Sequence, residues 1–263
     1  MIVRFSNDKD RPIFLIAGAA SAAVFLIFGL TIFPSDSRAA ALLFDLAGKL
    51  GSFPFTVQGL MWLVFFMALS DALFIYLSVM KDQAELGAGY LPEQKTKMIS
   101  SETAKAIYGS ISNRPPTASA IRFLIIKTLD QFFVSKSLSR ANDVFDNSVR
   151  LLYDRSDLQF SFIRYAAWLL PTIGFIGTVI GISLALVVAA EPPMEMSSVS
   201  MRDWMGALTG ELGFAFDTTL LALAQSAVVV FIQSYVQAKA ERVLVDSEEY
   251  CLDNLINKLL DPN

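Results

Sequence analysis

Four runs of this sequence are apolar over the roughly 20 residues a helix needs to cross the hydrocarbon of a bilayer. They are Pro12–Phe33, Phe53–Met80, Phe160–Ala190 and Leu212–Val236. No other feature restricts the fold as strongly. A segment in lipid must satisfy its backbone polar groups internally, which leaves helices and closed barrels, and runs of this length predict helices. Composition agrees: 54% of the residues are apolar and 17% charged, with a mean hydropathy of +0.51. Those values fit a polytopic membrane protein. The first run follows a basic start and precedes Ser37-Arg38-Ala39-Ala40-Ala41, as a secretory leader would. Its apolar core exceeds the roughly 7–15 residues of a leader, so it reads as a retained span.

The four spans form two hairpins, within residues 1–80 and 160–236, separated by a polar segment at 81–159 and followed by a tail at 237–263. Lys and Arg set the orientation, because cytoplasmic loops carry the excess. Arg4, Lys9 and Arg11, eleven basic residues between Lys81 and Gln159, Arg164, and Lys239, Arg242 and Lys258 make eighteen on one side. Arg38, Lys49 and Arg202 make three on the other. Both termini and the 81–159 segment are therefore expected on the cytoplasmic side. Trp62, Trp168 and Trp204 lie near span ends and read as interface anchors.

The polar segment divides at Asn113-Arg114-Pro115-Pro116. A loop at Gly87–Pro92 and a short polar helix around Glu93–Ser110 come before it. After it, Thr117–Asp157 reads as one long amphipathic helix. Ile121, Leu124, Ile125, Leu129, Phe132 and Phe133 keep a spacing of three and four, continued by Leu138, Val144, Phe145, Val149 and Leu152. The tail at 237–260 carries the same period and is expected to leave the membrane as a continuation of the fourth span. The fold class is thus all-α: four transmembrane helices with a cytoplasmic helical bundle.

Several chemistries are absent. The chain contains no histidine and one cysteine, Cys251, in the tail, where a reduced free thiol is expected. It holds no Walker A loop and no GxSxG or GxGxxG turn. No metal, cofactor or nucleic acid is called for, and a catalytic role is not expected. The two acids inside the spans, Asp71 and Asp217, lie toward opposite faces of the membrane, which argues against an acid pair.

The third and fourth spans carry what a lipid-facing helix has no use for. Gly174, Gly177 and Gly181 form a smooth edge at spacings of three and four; such an edge serves close helix packing or a pore lining. Pro171 removes a backbone hydrogen bond, bends the helix and frees the carbonyl of Ala167. Thr178 adds a hydroxyl at mid-membrane, which a helix backbone can also satisfy. In the fourth span, Asp217 stands beside Thr218 and Thr219. An ionised carboxylate inside an apolar run costs several kcal/mol, so Asp217 either meets water, a cation or a donor, or caps a helix beginning after Gly210-Glu211-Leu212-Gly213. Thr218, Ala222 and Ser226 give a small, partly polar face, and Gln225 is a second deep polar group. Asp71 in the second span reads as structural, with Arg164 at the base of the third span as its partner.

The stretch from Leu170 to Ile182 is similar to the P-x-x-G-x-x-G-T-V-x-G helix of the MotA/TolQ/ExbB proton-channel family. Ala215-Phe216-Asp217-Thr218-Thr219-Leu220 with Ala222-Leu223-Ala224 resembles that family's final helix. The resemblance covers roughly residues 164–236. It implies a homo-oligomer, a pentamer in that family, surrounding a single-span MotB/ExbD/TolR-like partner that carries a membrane aspartate. A proton or sodium gradient would then drive movement between the two. Carried over residue by residue, Thr178 and Thr219 become the paired hydroxyls of the ion path and Pro171 the proline at the helix bend; Asp217 and Thr218, the polar residues adjoining Thr219, are assigned to the same path. The TolQ/ExbB branch commonly places a glutamate five positions before the second threonine; here that position is Phe214 and the acid stands at Asp217. The four-span layout is like the MotA branch, but the 81–159 segment lacks an obvious flagellar-rotor charge pair. The implied protein is an inner-membrane stator subunit of bacteria, driving something other than a standard flagellar motor. The other reading is a non-conducting membrane scaffold that docks partner proteins.

Overall fold

The computed structural model describes residues 10–34, 37–45, 55–92, 98–113, 119–194 and 197–260. Among them every long element is a helix. These are α1 (Arg11–Ile32), α2 (Arg38–Phe44), α3 (Val57–Leu86), α4 (Ser101–Ser112), α5 (Ala120–Ser135), α6 (Leu138–Gln159), α7 (Ser161–Ala190) and α8 (Ser198–Asn254), with a 3₁₀ turn at Ile256–Lys258. Helices α1, α3, α7 and α8 each contain a stretch long and apolar enough to cross a membrane, one for each predicted span. Arg4, Lys9, Lys49, Glu93–Lys97 and the Arg114-Pro115-Pro116 breaker lie outside the described residues.

The chain divides into two compact units. One comprises Ile13–Asp71 and Phe162–Gln233. In it α1 lies close against α3: a Cβ on Gly18 would fall 2.8 Å from the Phe66 carbonyl oxygen and 2.9 Å from Met67 Cα, so only glycine fits. Ser70 Oγ donates to Phe14 O at 2.5 Å from the neighbouring turn. Beyond this contact, rings fill the space, with Phe25 centred 4.5 Å from Trp62 and 5.3 Å from both Phe44 and Phe66. Trp62 Nε1 donates to Leu43 O, and Gln58 Nε2 to Ala41 O and Leu42 O. These bonds satisfy carbonyls at the end of α2 that its last turn leaves open.

The second unit comprises Met1–Pro12, Ala72–Ser161 and Ser234–Asn263. Its core is built from large aliphatic and aromatic side chains, among them Ile111, Ile125, Leu129, Phe132, Phe145 and Leu255. On α6 the buried residues are Ala141, Phe145, Ser148, Val149 and Leu152, while Arg140, Asp143, Asp146, Asn147 and Arg150 are exposed. This is the amphipathic pattern of a helix with one face in water. Cys251 is wholly buried in the same core, and burial pushes its thiol up to about 12, which keeps the thiolate scarce near neutrality.

Four expectations need correction. The single helix expected over Thr117–Asp157 is two helices, α5 and α6, packed on one another. The break falls at Lys136, whose backbone is left-handed at φ 49° and whose N–H closes the end of α5 on Phe132 O. The short polar helix expected from Glu93 begins only at Ser101, where Ser100 Oγ caps it by accepting from Thr103 N at 3.3 Å. The fourth span is part of a helix of 57 residues that starts at Ser198, so Asp217 lies mid-helix and caps nothing. The tail continues that helix only to Asn254; Ile99 then pairs with Leu259, with Ile99 N–H donating to Lys258 O at 2.7 Å.

Candidate functional site: the threonine seam between α7 and α8

Helices α7 and α8 meet along small residues. A Cβ on Gly174 would stand 2.4 Å from the Ala222 Cβ, one on Gly177 2.7 Å from Thr218 Oγ1, and one on Gly181 2.7 Å from the Ala215 Cβ. Every one of these distances is shorter than the roughly 3 Å that a real Cβ keeps from its non-bonded neighbours, so all three glycines are required by the approach. Ala215, Thr218 and Ala222 answer them at spacings of three and four on α8. Close backbones of this kind replace the hydrophobic drive that is missing where the surroundings are apolar.

That approach brings the hydroxyls together. Thr178 Oγ1 and Thr219 Oγ1 share a hydrogen bond. Thr178 Oγ1 also reaches Gly174 O at 3.1 Å and Ala215 O at 3.2 Å, and Thr219 Oγ1 reaches Gly174 O at 3.2 Å. Thr218 Oγ1 donates to Ala215 O at 2.8 Å. A hydroxyl has one hydrogen and two acceptor lone pairs. Both hydrogens of the Thr178–Thr219 pair have acceptors inside the seam, so what remains to meet a visitor is lone pairs. Such a pair accepts from water or a hydrated cation and has nothing left to donate to an anion. Thr178 and Thr219 are half-buried, Thr218 and Asp217 buried.

Pro171 frees the carbonyl four residues back, and the freed group has a partner: Ser226 Oγ donates to Ala167 O at 2.8 Å. Half of this contact follows from the position of the proline. The other half, which hydroxyl answers, needs the register of α8 against α7. Trp204 Nε1 donates to Val188 O at 2.8 Å near the other end of the pair.

The seam therefore unites Thr178, Thr219, Thr218, Gly174, Gly177 and Gly181. Asp217 is buried one residue from Thr218, on the same helix. Asp71 and Arg164 lie outside the seam; Asp71 is fully buried and Arg164 half-buried. Ala215 was not singled out in the sequence, yet it supplies a carbonyl to both Thr178 and Thr218. Its signal was the repeat of small residues on α8 matching that on α7. Among the described residues no three His, Cys, Asp or Glu side chains are grouped to hold a metal ion.

Residues 119–249, which include α7 and the seam-forming part of α8, match the model of the MotA/TolQ/ExbB proton channel family. Through this segment the chain belongs to that family. No curated protein and no solved structure matches it. With four helices able to span a bilayer, this family member is a multi-pass membrane protein, a subunit of proton-channel type. The family is associated with channels and transport, and its members work in oligomeric assemblies with partner proteins. The match begins at Ser119, well before the seam, and so takes in α5 and α6 as well.

Proposed function

We propose that this chain is the channel-forming subunit of an ion-driven stator in the bacterial inner membrane. Copies of it, five by family likeness, surround the membrane helices of a single-span partner whose aspartate exchanges protons, or sodium, with the path. Both termini and the α4–α6 bundle lie on the cytoplasmic side, where eighteen of the 21 basic residues fall. The gradient then does mechanical work on a load coupled to the partner. The observation that supports this reading is the Thr178–Thr219 hydroxyl pair. It is half-exposed, its hydrogens are engaged within the seam, and its lone pairs suit a cation or water. Asp71 and Arg164 form a structural ion pair, and Asp217 and Thr218, buried on the same stretch of α8, belong to the ion path with the hydroxyl pair.

One observation favours the scaffold reading instead. Each of the three threonines also bonds a helix carbonyl, and Thr218 is fully buried; packing alone accounts for such bonds. Ion flux separates the two. In proteoliposomes holding this chain and its single-span partner, the double variant Thr178→Val/Thr219→Val keeps the shape of both side chains and removes both hydroxyls. Gradient-driven flux that falls at least about tenfold with assembly intact, equivalent to about 1.4 kcal/mol at the barrier, is the expected result. A wild-type complex that assembles and passes no ions would favour the scaffold.

A further inference from the structure

Gln225 lies in the buried stripe of α8 formed by Phe214, Thr218, Leu221, Ala222 and Val229, and is 3% exposed. Neither its Oε1 nor its Nε2 has a hydrogen-bond partner among the described residues. A primary amide offers two donors and two acceptor sites. Leaving even one buried polar group unsatisfied costs about 1–3 kcal/mol, and where no bulk water reaches, the cost is not relieved by solvent. A leucine of similar size would avoid it altogether.

Whatever satisfies this amide must be small. The side chain is enclosed by its own subunit, so a neighbouring copy or a partner helix cannot reach it. Aliphatic neighbours such as Leu221 and Val229 supply neither donor nor acceptor. The nearest hydroxyl in sequence, Ser226, has its hydrogen on Ala167 O. Water meets the requirement, since it both donates and accepts and typically makes about three bonds when buried.

We infer that the Gln225 amide is an internal water-binding site inside the subunit, at the level where Pro171 has opened the α7 backbone. Gln225 lies seven residues from Thr218 and on the same helix face, about 10 Å along the axis. Water held there gives the hydroxyl seam a polar continuation toward the end of the helix pair that contains Ala167 and Ser226. The continuation rests on the conduction reading above; the water site does not.

The test has two readouts on the full chain with its partner. The first is a map of the wild type sharp enough to show ordered water, beside the infrared carboxyl band of Gln225→Glu. Density within hydrogen-bond distance of the wild-type amide is expected, with the Gln225→Glu band at the lower frequency of a hydrogen-bonded acid. A map with no density there overturns the inference. The second readout is gradient-driven flux in Gln225→Leu, expected to fall severalfold with assembly unchanged. Full flux in that variant, with water present in the wild type, removes the continuation and leaves the site. Absence of flux in the wild type counts against the conduction reading instead, and the first readout still decides the water.

Discussion

The α7–α8 seam and the α4–α6 bundle solve the same problem of joining helices by opposite means. In the seam the contact residues are the smallest available, Gly174, Gly177, Gly181, Ala215 and Ala222, and the polar groups bond helix carbonyls across the contact. In the bundle they are among the largest, Ile111, Leu129, Phe132 and Phe145, each 2% exposed or less. The outward faces are reversed as well: Phe175, Ile176, Val179 and Leu186 on α7, against Arg140, Asp143, Asp146 and Arg150 on α6. Burying apolar area gains free energy only where the alternative is water, at about 25 cal/mol per Å². Where the alternative is lipid, that gain disappears and close backbone approach takes over. One chain thus carries two rules of packing, and each helix follows the rule of its surroundings.

The comparison breaks first at its largest side chain. Phe145→Ala removes a wholly buried ring from the bundle core and is expected to cost about 3–5 kcal/mol. Hydrogen exchange read peptide by peptide should then speed up across α5 and α6 while α7 and the first part of α8 hold their protection. Equal loosening of both regions would mean that they unfold as one, and that the contrast drawn here has no energetic meaning.

The next largest effect comes from the smallest addition. Gly174→Ala adds one methyl where the Ala222 Cβ is 2.4 Å away and Thr218 O 3.2 Å away. Neither atom can swing aside, since one sits directly on the backbone and the other is part of it. Overpacking of this kind costs about 1–3 kcal/mol. Thermal denaturation in detergent should show a lower midpoint, and exchange should rise in the seam before it rises in the bundle. An unchanged midpoint would show that α7 and α8 do not meet as closely as their glycines imply.

How much of this was legible in the sequence follows the same division. Span lengths were readable because lipid imposes a length: the run Phe160–Ala190 became a helix over Ser161–Ala190. The bond freed by Pro171 was readable for the same reason, since the covalent geometry of proline does not depend on context. The break at Lys136 was legible only as a change of phase that the single-helix reading passed over. Leu129, Phe132 and Phe133 keep one helical face, but Leu138 and Phe145 fall roughly 160–180° round from Leu129 at 3.6 residues per turn, and a single lysine in the left-handed region gives no composition signal. That conformation costs roughly 1–2 kcal/mol, which the packing of α5 on α6 offsets. Gln225 was visible as a deep polar residue near the small, partly polar face of Thr218, Ala222 and Ser226, but that face did not say whether the amide met a partner or was enclosed, so its enclosure required the structure.

The smallest prediction reverses a sign. Gly109 lies within α4, and a Cβ added there meets nothing within 4 Å. Alanine in a helix interior is worth about 0.5–1 kcal/mol over glycine, because glycine loses more backbone freedom on folding. Gly109→Ala should therefore stabilise α4, slowing exchange of its amides about two- to fivefold with the seam untouched. The one contact at risk is the end of the helix, where Asn113 N–H donates to Gly109 O at 3.1 Å; that bond uses the backbone and survives the change. Faster exchange in α4 would mean that the space beside Gly109 is occupied in the assembled protein, and would mark that face of the bundle as a contact surface. Set beside Gly174→Ala, the expected outcome has the same methyl group stabilise one region and destabilise the other. The sign of its effect is decided by what lies within 3 Å of the new carbon, and helix propensity matters only where that space is empty.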